Sequence, residues 1–274
     1  MKNWILATSL MIISLFGCTP NNVTKDDTLK KYFDEWKADG TFAFFNNGQG
    51  DFHIYNLPRY TDGKYLPAST FKIVNSLIGV EKGVIKDSTS IINWNGAGSG
   101  RAECDANLSM NQAFRLSCPN WYQELARRIG ATDMKKYLDT LGYGSFSPDF
   151  NMEEKLDIFW LDNSLKVTAD EQLGLLKKLY FEQLPFLKRT QRIVREMMLW
   201  EDDANYKLSY KTGWGVTEEG NQLGWIEGWI EENNHPYFFV LQIESPDANF
   251  DMRSARLDIL KKILKQYGFF EGKK

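Results

Sequence analysis

Apolar and polar positions follow two rhythms along this chain, and the rhythm changes twice. Residues 29–36 repeat at helical spacing, with Tyr32, Phe33 and Trp36 available for one face. Residues 41–45 and 52–56 read as two strands, joined by Asn46-Asn47-Gly48-Gln49-Gly50, whose residue types suit the positive-φ positions of a hairpin turn. After Pro67 and Ala68, residues 69–78 have a helix-start pattern with Gly83 near the end. Residues 110–129, 133–141, 169–181 and 187–200 then carry apolar side chains three and four apart. Past Asp202-Asp203 the pattern is strand-like over 206–211, 224–231 and 237–243, with residues 232–236 turning between the last two. An amphipathic helix over 253–267 follows. This order predicts an α/β (α+β) fold: an antiparallel sheet formed by both chain ends, flanked by helices, with a mostly helical lobe. A cleft between sheet and lobe is the natural ligand site.

The first eighteen residues break this pattern. Lys2 precedes an apolar run over 5–16, interrupted only by Thr8, Ser9 and Ser14, and Gly17-Cys18 follow. The run is too short to span a bilayer comfortably and has the layout of an export signal. Leu15-Phe16-Gly17-Cys18 resembles a bacterial lipobox, in which the cysteine becomes the lipidated first residue. The expected organisation is a signal peptide over 1–17, a linker over 18–28 and one folded domain over 29–274. It implies export to the periplasm or cell envelope and a membrane anchor through lipid on Cys18, with ordinary cleavage nearby as the alternative. A buried N-terminal helix is disfavoured by the abrupt polar stretch from Asn21 to Asp27.

Composition changes the picture only by exclusion. Of 274 residues, 43% are apolar and 25% charged, as in a globular body, and a formal charge of −3 gives no basic face for nucleic acid. In an oxidising compartment, Cys104 and Cys118 are either a disulfide, worth roughly 3 kcal/mol in the chain-entropy account, or two unpaired thiols. Three dispersed cysteines and two isolated histidines lack the spacing of a zinc site, so no metal cofactor is expected. His53 and His235 accompany no G-x-S-x-G elbow, and the glycine-rich stretch 95–100 lacks the ending of a phosphate loop.

Chemistry concentrates at Ser69-Thr70-Phe71-Lys72, where a hydroxyl and an amine three apart share a helix face. A solvated lysine is protonated at neutral pH and cannot act as a base, so Lys72 needs an apolar pocket that lowers its pKa. Lys211-Thr212-Gly213 stands at the end of a predicted strand, where cation and hydroxyl can grip a carboxylate and Gly213 leaves room for a ligand.

S-x-x-K followed by K-T-G resembles the motif pair of penicillin-recognising serine enzymes. From about residue 30 to 270 the chain resembles a class D (OXA-type) serine β-lactamase. Ser117-Cys118-Pro119 stands at that family's S-x-V, Tyr143-Gly144-Ser145 at its Y-G-N, Phe159-Trp160-Leu161 at its F-W-L, and Trp225-Ile226-Glu227-Gly228 at its W-x-x-G. The resemblance implies a β-lactam substrate, with Ser69 as nucleophile and Lys72 carboxylated by CO2 into a base. Trp160 would hold that base, and Ser117 would relay a proton with help from Lys211. The backbone N–H groups of Ser69 and Trp214 would form an oxyanion hole. Lys211, Thr212, Gly213 and Arg256 would bind the substrate, Arg253 being the alternative arginine. Pro119 and Ser145 depart from the family's Val and Asn. Glu153 resembles the loop glutamate of class A enzymes, but its lead into Phe159-Trp160 fits class D. The rival readings are a penicillin-binding transpeptidase or carboxypeptidase, and a β-lactam sensor domain, which usually has membrane-spanning segments; none is evident in the sequence after residue 18.

Overall fold

The computed structural model describes residues 22–274, so the leader read over 1–17 and Cys18 lie outside the described residues. The chain begins with β1 (Val23–Lys25), passes through a 3-10 turn into α1 (Lys30–Glu35), and forms β2 (Asp39–Asn46) and β3 (Asp51–Tyr55). Then α2 (Leu57–Asp62) and α3 (Lys72–Glu81) lead into a lobe made of β4 (Ile91–Ile92), β5 (Leu108–Ser109), α4 (Met110–Leu116), α5 (Pro119–Ile129) and α6 (Ala131–Leu141). It continues through β6 (Ser145–Phe146), α7 (Met152–Lys155), β7 (Leu165–Lys166), α8 (Ala169–Tyr180) and α9 (Lys188–Met197). The return consists of β8 (Leu199–Asp202), β9 (Lys207–Val216), β10 (Gln222–Glu232), β11 (His235–Ser245) and α10 (Met252–Gln266).

Among the described residues, seven strands form one sheet in the order β1-β3-β2-β11-β10-β9-β8. The two ends of the chain meet at β2 and β11, where Phe42 faces Leu241 across an antiparallel ladder. Asn233 and Asn234 both take positive φ between β10 and β11, as a two-residue turn matching the strand twist requires. One pairing departs from the expected antiparallel sheet: β1 runs parallel to β3, with Val23 opposite Phe52. Residues 23–28, assigned to a linker, therefore belong in part to the fold.

Both sheet faces are covered. On one, Phe42, Phe44, Ile226, Ile230 and Leu241 pack with Phe33 of α1 and Ile259, Leu260 and Ile263 of α10. On the other, Trp225, Trp229, Phe238 and Val240 join Leu173 and Leu176 of α8 and the apolar faces of α3 and α5.

Three other expectations need correction. The helix read over 110–129 is two helices, because Ser117 takes a left-handed conformation and Pro119 restarts the chain in the first turn of α5, where its missing N–H goes unmissed. The helix over 187–200 stops at Met197, since Leu199 instead pairs with Ser209 on the open edge of β9. Cross-strand pairing there outweighs a helical spacing that is only locally favourable. Lys211-Thr212-Gly213 lies in the middle of a strand rather than at its end, because pairing with β10 carries β9 on to Val216 opposite Gln222.

Candidate active site

Ser69 stands on a tighter turn than the helical spacing predicts. Ala68–Phe71 form one turn of 3-10 helix ahead of α3. At three residues per turn, positions i and i+3 eclipse, and Lys72 Nζ donates to Ser69 Oγ at 2.7 Å. The turn is braced on both sides. Ala68 takes a φ of 49°, a costly conformation for a residue with a Cβ, and its N–H donates to the Trp160 carbonyl at 3.0 Å. Thr70 Oγ1 donates to the Pro67 carbonyl at 2.8 Å and accepts from Gln172 Nε2 at 2.7 Å.

Strand β9 lies directly against this turn. A Cβ on Gly213 would fall 2.9 Å from the Pro67 oxygen, and one on Gly215 2.8 Å from the Leu66 side chain. The space beside Gly213, expected to be room for a ligand, is taken by the turn; the glycine lets strand and nucleophile approach.

Lys72 is fully buried, and no carboxylate contacts it among the described residues. Burial, with the charge of Arg101 second, brings its pKa down to about 7. Its ammonium lies 5.3 Å from the centre of the Tyr122 ring, and the neighbouring Phe71 ring stacks on Trp160 at 5.1 Å. Trp160 is buried, and its indole N–H has no hydrogen-bond partner among the described residues. A buried donor left unmade is costly and calls for an explanation. An amine that loses its proton near neutrality, in contact with a serine hydroxyl, can take part in proton transfer there.

The break between α4 and α5 supplies the third group. The left-handed Ser117 presents Oγ to Lys211, whose Nζ donates to it at 2.9 Å and to the Thr212 carbonyl at 2.8 Å. Cys104 and Cys118 are joined in a disulfide with Cα atoms 5.4 Å apart, which settles the choice left open between a bond and free thiols. Arg101 braces the same corner by donating to the Leu116 carbonyl at 2.9 Å.

Ser69, Ser117, Thr212, Gly213, Trp214 and Arg256 all line one cavity of about 560 Å³. Lys72, Trp160 and Lys211 stand behind this wall, sealed from solvent. Arg256 is nearly buried and donates to the Gly213 carbonyl, while its Nε has no partner among the described residues. Burial, then the neighbouring Arg253, lower its pKa to about 10. Arg253 lines the same cavity but is exposed. Of the two arginines, Arg256 is the one that touches the Lys211-Thr212-Gly213 strand. Arg101, Arg115, Trp200 and Tyr210 also line the cavity and were not anticipated. The Arg115 guanidinium covers the Trp200 ring at 4.9 Å, and that ring stacks on Tyr210 at 5.2 Å. These residues come from the segment between β4 and β5, from α4, from β8 and from β9, with no local motif to announce them. His53, paired with Asp51, lies outside the lining, as do His235 and the exposed Glu153.

Comparison with known proteins agrees with this geometry. The family described as penicillin binding protein transpeptidase domain matches residues 21–265. Beta-lactamase OXA-48 of Klebsiella pneumoniae is 32% identical over 268 residues, covering 97% of this chain and 98% of the relative. The class D β-lactamase YbXI from Nostoc superimposes with a TM-score of 0.82 at 34% identity, covering 89% of this chain and 99% of that one. The C-terminal domain of the penicillin receptor BlaR of Bacillus licheniformis gives 0.81 at 28% identity, over 90% of this chain and 97% of its own length. With a serine and a buried lysine in contact beside a K-T-G strand, the chain belongs to the OXA-type class D β-lactamases of the penicillin-binding transpeptidase family.

Proposed function

We propose that the protein hydrolyses the β-lactam ring of penicillin-type antibiotics through an acyl-enzyme on Ser69, and so confers antibiotic resistance. The observation that carries this reading is the 2.7 Å contact between Ser69 Oγ and a lysine held in an apolar pocket with a pKa near 7. Its relatives named β-lactamases support the same substrate class.

The steps follow from the residues. Substrate enters the cavity with its carboxylate toward Lys211, Thr212 and Arg256, two cations and a hydroxyl that can donate to it. The side chain of Lys72 takes the Ser69 proton as the serine oxygen attacks the lactam carbonyl. Backbone N–H groups of Ser69 and Trp214 stabilise the developing oxyanion. The carbon–nitrogen bond then breaks, and Ser117, in contact with Lys211, passes a proton to the departing nitrogen. Carboxylation of the Lys72 amine by CO2 supplies an anionic base, with the unmatched Trp160 N–H as its hydrogen-bond donor. Lys72 in that form also draws a proton from water in the second step, when the Ser69 ester is hydrolysed. No other cofactor is needed. Export by the 1–17 leader, with lipid on Cys18 as anchor, would place the enzyme at the periplasmic or cell-envelope surface that antibiotics reach first.

The likeness to a penicillin receptor favours a second reading, a sensor acylated once. Purified protein mixed with nitrocefin and bicarbonate separates the two. Sustained colour change supports turnover; a single stoichiometric burst supports the receptor. In the same assay Trp160→Ala is expected to leave a persistent acyl-enzyme and a larger bicarbonate requirement, and unchanged turnover without added bicarbonate would refute the role given to Trp160.

A further inference from the structure

Glu227 is a buried acid that the steps above leave unused. It is fully buried, and neither carboxylate oxygen has a hydrogen-bond partner among the described residues. In the antiparallel ladder it stands directly opposite Lys211, so the two side chains share one sheet face with Cβ atoms about 5 Å apart. That face is the one carrying Trp225 and Trp229 toward the lobe.

The two buried lysines have different surroundings. Burial pushes both down from the ordinary lysine range. Around Lys211, further groups act from every side: Lys72 of α3, Arg256 of α10 and Arg101 of the lobe all disfavour its charge, and Glu227 of β10 alone favours it. Around Lys72 only the Arg101 charge adds to burial, and no acid opposes it. Glu227 in turn is pushed up by burial and held down only by Lys211; its other titratable neighbour is the buried Tyr143 phenol. The mechanism requires different protonation states of these lysines, a neutral amine at Lys72 and a charged one at Lys211.

We propose that Glu227 is a positioning residue that acts through Lys211, a buried carboxylate that keeps the proton on that lysine and thereby divides the labour of the two amines. This rests on the reading of Lys211 as proton relay and carboxylate grip. A buried ion pair that loses one member leaves the other uncompensated, so without Glu227 the Lys211 ammonium gives up its proton at lower pH.

The test is the pH profile of kcat/KM for a penicillin, with saturating bicarbonate, in the unsubstituted protein, Glu227→Gln and Glu227→Asp. The alkaline limb of Glu227→Gln is expected to move down by about one pH unit or more, a tenfold change in the charged fraction on that limb. The rise should fall mainly in KM, because the charged lysine grips substrate. Glu227→Asp, which restores the charge one methylene further away, is expected to shift less. A Glu227→Gln limb that overlies the unsubstituted one, or a loss equal at every pH, overturns the proposal. Should the Gln protein not fold, the Asp limb decides: displaced downward supports the proposal, unmoved refutes it. Absence of β-lactam turnover in the unsubstituted protein would overturn the underlying reading as well, whereas an unmoved limb in an active enzyme overturns only the role of Glu227.

Discussion

Beneath α1 and α10 the central sheet buries Phe42, Phe44, Ile226, Leu241 and Ile243 against more hydrocarbon, whereas beneath the lobe it buries Lys211 and Glu227 among tryptophans, with Lys72, Asn75 and Gln172 facing them. The first face follows the ordinary rule that apolar area removed from water stabilises a fold. The second violates it, since buried charges and unmatched polar atoms cost stability. Asn75 Oδ1, Trp160 Nε1, both Glu227 oxygens, Arg256 Nε and Asp51 Oδ1 of β3 are buried without partners among the described residues. All but Asp51 belong to α3, to residues bonded to the Ser69 turn or the Lys211-Thr212-Gly213 strand, or to the position opposite Lys211. Local inconsistency of this kind, concentrated in the residues that carry or adjoin the nucleophile and the Lys211-Thr212-Gly213 strand, marks where stability has been exchanged for chemistry.

The sharpest way to break the comparison is Ser69→Ala. Losing the nucleophile should reduce kcat by about six orders of magnitude, and intact-mass measurement should find no penicilloyl adduct. Detection of that adduct on the variant would remove the polar face from the chemistry altogether.

Lys72→Met probes the energetic half of the claim. A lysine whose pKa falls from 10.5 to about 7 on folding binds its proton less tightly in the native state than in the unfolded one. Unfolding therefore takes up a proton between those pH values, and the native protein gains stability as pH rises through the window. Below pH 7 the buried amine costs roughly 5 kcal/mol relative to a solvated one. Lys72→Met is accordingly expected to be inactive yet more stable than the parent, by the greatest margin near or below pH 7 and by almost nothing near pH 10. Denaturant melts across that range check the sign; a variant less stable at every pH would contradict it. Activity follows the same direction: turnover should fall below about pH 7 as the amine protonates.

On the apolar face, Leu260→Ala should do the opposite. Its side chain is buried in α10 against the sheet, and truncation of such a residue costs about 2–5 kcal/mol. Because Ser69, Lys72, Ser117 and Lys211 all lie away from this face, kcat per folded molecule should be unchanged, any loss through Arg256 one turn earlier on α10 falling in KM. A catalytic loss here would show that the two faces are not separable.

The apolar face was also the more legible one. Apolar, strand-forming runs over 41–45, 224–231 and 237–243 and the spacing of 253–267 located β2, β10, β11 and α10 within a few residues, because strands covered on both faces are buried almost without interruption. The lobe was harder. Ser117 interrupts what reads as one helix, and it is this left-handed interruption that aims its hydroxyl at Lys211. Ser69 and Lys72 were found because their relation is local, one turn apart. Arg101, Arg115, Trp200 and Glu227 escaped because each reaches the site through tertiary placement from a separate element. Trp225 and Glu227 belong to one motif, yet only the register of β10 against β9 reveals that the glutamate faces a lysine.

The Cys104–Cys118 bond is the smallest lever on the comparison and the most discriminating, because it stabilises the polar face at the corner carrying Ser117. It joins residues 14 apart in sequence, a loop whose closure is worth about 3 kcal/mol in the unfolded chain. Cys104→Ala with Cys118→Ala should therefore lower Tm by several degrees. The same substitution removes the covalent brace of the Ser117 corner and leaves it to hydrogen bonds, from Arg101 to the Leu116 carbonyl and from Asn120 to the Cys104 carbonyl, each at 2.9 Å. If Ser117 must be held against Lys211 at 2.9 Å to pass its proton, kcat should fall several-fold at temperatures where the variant remains fully folded. A lowered Tm with kcat intact would show that the disulfide repays only the stability that the neighbouring buried charges remove, and that the Ser117–Lys211 contact is held by the turn itself.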